Sequence, residues 1–120
     1  MSPFPAPIAE SIWDLKYRLK GPDGAPLEAR VEDSWDRVAA ALAEAEDDPS
    51  RWRPVFREAL DGFGYLPAGR ILAGAGTGRA VTLFNCFVMG TIPDSMEGIF
   101  ESLKEAALTM QQGGGIGYDF

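Results

Sequence analysis

The chain has no histidine and a single cysteine. Without histidine it lacks the commonest general base and the commonest zinc ligand. Ser-His and Cys-His nucleophile pairs and His-ligated metal sites therefore cannot be complete within it. One cysteine excludes an intrachain disulfide, a CxxC redox pair and a zinc ribbon. Basic residues are few. Lys+Arg 11 against Asp+Glu 18 give a net charge of −7, which argues against a nucleic-acid-binding surface, since that needs clustered Lys and Arg. No apolar run reaches the roughly 18 residues that a membrane span requires. Met1 to Pro7 lacks the basic start and apolar stretch of a secretory signal. A cytoplasmic, reducing location is the expectation, and it suits a free thiol.

What is present is globular in kind: 46% apolar and 24% charged residues. The 120 residues amount to one ordinary domain or a piece of a larger one. Glycine is the unusual component. Of its 14 residues, 12 lie from Gly62 onward, so the two halves differ in texture.

The first half reads as helical. Residues 1–7 hold three prolines and predict an extended, frayed lead-in. Ile8, Ile12, Leu15 and Leu19 share one face of a short helix over 8–19. Gly21-Pro22-Asp23-Gly24 makes a turn, and Leu27 to Val31 predicts a short extended piece. Trp35, Val38, Ala39, Leu42 and Ala45 follow helical spacing over 32–45. Asp48 and Pro49 have the chemistry of a helix cap and first turn. Trp52, Val55, Phe56, Leu60 and Phe63 stripe a third helix, stopped at Gly62 or Gly64. Trp13, Trp35, Trp52, Phe56 and Phe63 are the expected aromatic core of this unit.

From Tyr65 to Gly78 the chain is rich in Gly and Ala with no acidic residue, which predicts irregular backbone that hugs other structure or lines a site. Val81 to Met89 is nearly continuous apolar sequence and predicts a strand covered on both faces, as in a parallel sheet or barrel. Asp94 and Glu97 have capping-box spacing ahead of a helix with Met96, Ile99, Phe100, Leu103, Ala107 and Met110 on one face. Gly113-Gly114-Gly115 ends that helix, and residues 116–120 open another strand. An α/β class follows, with an unfinished parallel sheet. An open sheet edge is costly, so the expectation is a fragment or a chain completed by a second polypeptide.

Each candidate for chemistry has two readings. Cys86 is either a buried thiol packing as a small hydrophobe or a donor of hydrogen and electrons. Asn85 beside it is a polar group in an apolar run and needs a partner or a ligand. The glycines could serve a cap and tight turns, or could cradle phosphate with bare amides. They match neither nucleotide fingerprint. No Gly-Lys-Ser/Thr follows them, Arg79 stands where the last glycine of GxGxxG belongs, and 113–117 run from helix to strand. Arg70 and Arg79 suit either a phosphate or a surface carboxylate. Glu97, Glu101 and Glu105 repeat at four-residue spacing and read as a solvated face, so no metal site is expected.

The stretch LPAGRILAGAGTGRAVTLFNCFVMGTIPDSMEGIFESLKEAALTMQQGGGIGYDF, residues 66–120, closely resembles the large catalytic chain of ribonucleotide reductases, and among them the adenosylcobalamin-dependent (class II) type. IWDLKYRL and VEDSWDRVAAAL also look like the helical lead-in of that type. The resemblance implies a helical region over 1–64. It further implies, over 65–120, the first strand–helix–strand unit of a ten-stranded α/β barrel, incomplete here. It implies the reaction too: a thiyl radical takes the 3′-hydrogen of a ribonucleotide, diphosphate in our expectation, and a cysteine pair supplies the reducing equivalents that replace the 2′-hydroxyl, providing deoxyribonucleotides for DNA synthesis.

By the same resemblance, Cys86 matches the first cysteine of that pair, Asn85 a position beside the substrate, and Gly115 a glycine whose backbone lies against it. Ala68 and Gly69 match a segment near the substrate's phosphates. Adenosylcobalamin is the implied cofactor, with its binding residues elsewhere. The implied partners are a ribonucleotide substrate, the downstream remainder of the reductase chain, a thioredoxin-like dithiol reductant and deoxynucleotide effectors, in a homodimer when complete. The radical-bearing cysteine, the partner of Cys86 and the asparagine–glutamate pair at the 3′-hydroxyl lie downstream in the family, so this polypeptide alone is expected to be inactive. The competing readings are a non-catalytic, reductase-derived module that binds a nucleotide or partner, and a metal-cofactor (class I) large-chain fragment.

Overall fold

A computed structural model describes residues 2–120; Met1, the first residue of the expected lead-in, lies outside the described residues. The elements run α1 (Pro7–Lys16), α2 (Val31–Ala43), α3 (Pro49–Leu60), α4 (Gly69–Gly74), β1 (Cys86–Thr91), α5 (Met96–Gln111) and β2 (Gly115–Asp119). They fall into two compact units that part between Gly78 and Arg79, whereas the texture of the sequence changes at Tyr65. The predicted order, a helical region followed by strand, helix and parallel strand, is the order adopted.

In the first unit α2 and α3 pack together over a buried cluster of Trp13, Val31, Trp35, Val38, Ala39, Leu60 and Ala75. Burying such side chains contributes about 1.5–3 kcal/mol each before the entropy of ordering is counted. The lead-in is not frayed. Phe4 sits 5.7 Å from the Trp13 ring and 5.5 Å from that of Phe63, which gives the proline-rich segment an apolar anchor. Trp35 meets Phe63 edge-on at 5.1 Å. These contacts hold Phe63 at φ 62, in the left-handed region that bulky residues avoid. Trp52 is a correction. It stacks on Phe56 at 5.7 Å, half-buried, outside the core cluster.

Local chemistry sets the ends of these helices. Asp48 caps α3 by accepting the Arg51 amide. At α2 the Asp33 carboxylate reaches back to the amides of Arg30 and Ala29, at 2.9 and 2.8 Å. Residues 27–30 are not extended as a strand. Lys20 and Pro26 form a lone antiparallel bridge across the Gly21–Gly24 turn, and Val31 already begins α2. The stretch 65–78, predicted irregular, contains α4, which packs Ile71 and Leu72 against the core cluster and is followed by buried Ala75.

In the second unit β1 and β2 pair in parallel, with α5 as the crossover. Ser95 caps α5 by accepting the Gly98 amide, so the predicted Asp94–Glu97 box does not form. The cap falls one residue later, where Ser95 takes extended backbone. Gly113 at φ 88 ends the helix. Its amide returns to the Met110 carbonyl and that of Gly114 to Thr109, the paired bonds of a left-handed helix stop. The predicted strand over 81–89 is shortened and shifted: residues 81–85 are loop and the ladder starts at Cys86. Its partner cannot begin before Gly115, because Gly113 and Gly114 are used to end α5. The expected cover on both faces is also absent. Val88 is fully exposed and α5 buries only Ala106, a position off the predicted stripe.

Candidate active site

Three of the predicted site residues come together at the start of the ladder. Cys86 pairs with Gly115 in register, and the Gly115 amide donates to the Asn85 carbonyl at 2.8 Å. Asn85 is a bend just before β1 rather than a mid-strand residue. Its backbone carbonyl accepts the closing bond of the sheet. Cys86 is a free, exposed thiol, so the reading of it as a buried small hydrophobe fails here.

Two glycines shape this point in different ways. A Cβ on Gly114 would stand 2.7 Å from the Phe87 ring and 2.9 Å from the Thr109 methyl, so this backbone is pressed between strand and helix. A Cβ on Gly115 would stand 3.4 Å from both the Asn85 carbonyl oxygen and Cys86 Sγ. A methyl there would just touch the thiol and occupy the space beside it. As it is, the thiol stands next to bare backbone that another molecule can approach at contact distance. The loop before β1 is tied down by the Thr82 amide, which donates to the Gln112 carbonyl at 3.1 Å, and by the Phe84 amide, which donates to Thr82 Oγ1. At the far end Thr91 donates to the Asp119 carboxylate at 2.8 Å.

Ala68 and Gly69 belong to the first unit. Ala68 is the residue before α4 and accepts the amides of Ile71 and Leu72 on its carbonyl. Gly69 faces Tyr17, and a Cβ on it would lie 3.1 Å from the phenol oxygen. A cavity of about 700 Å³ in this unit has Gly69 on its wall with Phe4, Trp13, Tyr17, Trp35 and Phe63. It is apolar and contains none of Asn85, Cys86 and Gly115, so this cavity is not where the thiol is.

The sequence reading missed a buried polar network behind α4. Glu28 and Ser34 are 5% and 2% exposed. Arg37 Nε donates to Glu28 at 2.7 Å, Ser34 donates to the same carboxylate at 2.6 Å, and the Leu19 amide donates to it at 2.9 Å. Trp13 Nε1 completes the set by donating to Ser34. Only the three-residue spacing of Ser34 and Arg37 on α2 is visible in sequence; Glu28 arrives from a loop.

On α5, Lys104 pairs with Glu101 at 3.1 Å, and Glu97, Glu101 and Glu105 are exposed. Among the described residues no group of three or more His, Cys, Asp or Glu is arranged to hold a metal ion. No helix among them is long and apolar enough to cross a membrane.

Comparison with known proteins divides the chain in the same place as its fold. The all-alpha domain of ribonucleotide reductase matches residues 3–80 and the barrel domain of ribonucleotide reductase matches 84–120. Ribonucleoside-diphosphate reductase subunit alpha from Helicobacter pylori is 38% identical over 92% of this chain and 14% of its own length. Two proteins named vitamin B12-dependent ribonucleoside-diphosphate reductase are similarly close. That of Thermoplasma acidophilum is 40% identical over 96% of the chain and 14% of its own length. That of Mycobacterium tuberculosis is 37% identical over 93% and 16%. The chain thus spans about a seventh of the length of the curated relatives it matches.

Proposed function

This chain belongs to the ribonucleotide reductase family, and on that premise we propose that it is the part of a reductase that carries one of two reducing cysteines, Cys86. In this reading the enzyme converts ribonucleoside diphosphates to 2′-deoxyribonucleotides by a thiyl-radical route. Cys86 and a second cysteine outside this chain become a disulfide. Their two protons and two electrons allow the 2′-hydroxyl to leave as water and hydrogen to take its place. Asn85 and Gly115 lie beside the sugar, and Ala68 and Gly69 toward the phosphates.

The observation that carries the reading is the exposed Cys86 thiol set against the side-chain-free backbone of Gly115, whose amide is anchored on Asn85. A thiol that must give up hydrogen to a sugar needs an unobstructed approach, and the exposure of Cys86 supports this reading.

Adenosylcobalamin is the cofactor of this proposal and supplies the initiating radical when bound. The chain has no histidine and so offers no imidazole to the cobalt, and we assign the cofactor's seat to other parts of the reductase. The proposal extends to a thioredoxin-like dithiol that reduces the disulfide again, deoxynucleotide effectors, a homodimeric assembly and a cytoplasmic location. A second reading, a reductase chain independent of cobalamin, is favoured by the Helicobacter alpha subunit matching about as well as the B12-dependent relatives.

The test is co-expression with the downstream reading frame, followed by a reduction assay with a dithiol. Turnover is expected from the assembled reductase, none from this chain alone, and dependence on added adenosylcobalamin separates the two readings. In the assembled enzyme Cys86→Ser abolishes multiple turnover with the dithiol while Co–C bond cleavage persists. Full steady-state turnover by that variant overturns the role of Cys86.

A further inference from the structure

We propose that Arg37 is the positioning residue for the Ala68–Gly69 segment, acting through α4; this rests on the reading that Ala68 and Gly69 face the substrate's phosphates. Arg37 sits in the middle of α2 with its side chain only 9% exposed. Its guanidinium donates to four acceptors on three separate stretches of chain. Nε goes to Glu28 at 2.7 Å, one terminal nitrogen to the Ala75 carbonyl at 2.6 Å, and the other to the carbonyls of Leu72 at 3.0 Å and Tyr17 at 3.3 Å.

Those three carbonyls are helix ends. Tyr17 is the C-cap of α1, Ala75 is the C-cap of α4, and Leu72 lies in the last turn of α4. Helix ends leave carbonyls without partners and carry partial negative charge, so one buried cation closes two helices at once. Glu28 neutralises that cation. Its own carboxylate is in turn held by the Leu19 amide and the Ser34 hydroxyl.

The six-residue α4 is too short to be stable by itself. It is held at each end by a different neighbour. At its start Gly69 abuts the Tyr17 ring, and at its end Arg37 holds Leu72 and Ala75. Gly76, at φ +71, is drawn so close that a Cβ on it would stand 2.9 Å from Arg37 Cγ and 3.1 Å from the Arg37 carbonyl oxygen. The Ala68 carbonyl is fixed because it accepts the first amides of α4. Moving the far end of this short helix therefore moves Ala68 and Gly69. Lysine cannot replace the clamp, because its point charge lacks the planar fork that spans the four acceptors.

The test uses Arg37→Lys, which keeps the charge beside Glu28, and Gly76→Ala, which pushes on the clamp from the other side. In this chain, hydrogen exchange at the Ile71, Leu72 and Ala75 amides is expected to speed up by about tenfold or more, with the α2 and α3 amides changed by less than about threefold. In the assembled reductase, KM for the ribonucleotide is expected to rise about tenfold with kcat within about twofold. Uniform loss of protection across the first unit, or no loss in α4, overturns the clamp. Selective loosening of α4 with an unchanged KM instead overturns the phosphate-facing reading of Ala68 and Gly69. Should Arg37→Lys fail to fold, Gly76→Ala alone decides between these outcomes.

Discussion

The two units of this chain solve the problem of burial differently. The helical unit closes on itself. Trp13, Trp35, Val38 and Leu60 are covered, and a lead-in phenylalanine and an ionic network lock the pieces around them. The second unit has a correctly ended helix and a correctly registered parallel pair, yet only Ala106 and Gly114 are buried in it. Phe84, Val88, Met96, Phe100 and Phe120 are all more than half exposed. Secondary structure of good local quality therefore does not make a core. Two strands and a helix offer too few faces to cover one another.

That contrast can be broken most directly by cutting the chain at Gly78. A peptide of residues 1–78 is expected to unfold in one cooperative thermal transition, and a peptide of 79–120 to show none by circular dichroism. Cooperative melting of the second peptide would dissolve the distinction. Next in size, Trp35→Ala removes the ring that Phe63 and the buried cluster rest on, and should cost the first unit about 3–5 kcal/mol in denaturant unfolding. In the second unit Gly114→Ala forces a methyl into the Phe87 ring and Thr109. It should cost about 1–3 kcal/mol and shift the amide resonances of β1 and β2 while sparing those of α2.

The smallest effect is a pH dependence confined to the first unit. The amides of Arg30 and Ala29 hold the Asp33 carboxyl below its ordinary value of 3.8. Because the folded value is the lower one, the stabilisation is complete above the ordinary value and is lost as the pH falls below it. An acid titration by circular dichroism should show a loss of helix below that value, and Asp33→Asn should blunt it.

Much of this was legible along the chain. The presence of α2 and α3, the Asp48 cap, the Gly113 stop and the parallel order of strand, helix and strand all follow from local spacing and turn chemistry, which need only nearby residues. Resemblance to a known family singled out Asn85, Cys86 and Gly115 one by one, whereas their meeting at the start of the ladder is seen only in the fold. The illegible parts share a cause. Whether β1 starts at Val81 or Cys86 depends on where its partner can begin, and that partner is held back by the end of α5. Phe4 packed against the core, Trp52 away from it, and α4 inside a glycine-rich stretch depend on which surfaces meet.

The order of the main elements, the Asp48 cap and the Gly113 stop were thus a property of the local sequence, because backbone hydrogen bonds and caps act within a turn or two. The ionic clamp of Glu28 and Arg37, the left-handed Phe63 and the open side of the Cys86 thiol were decided only by tertiary structure. Each is set by groups distant in the chain whose contact costs or gains free energy only once the fold has brought them together.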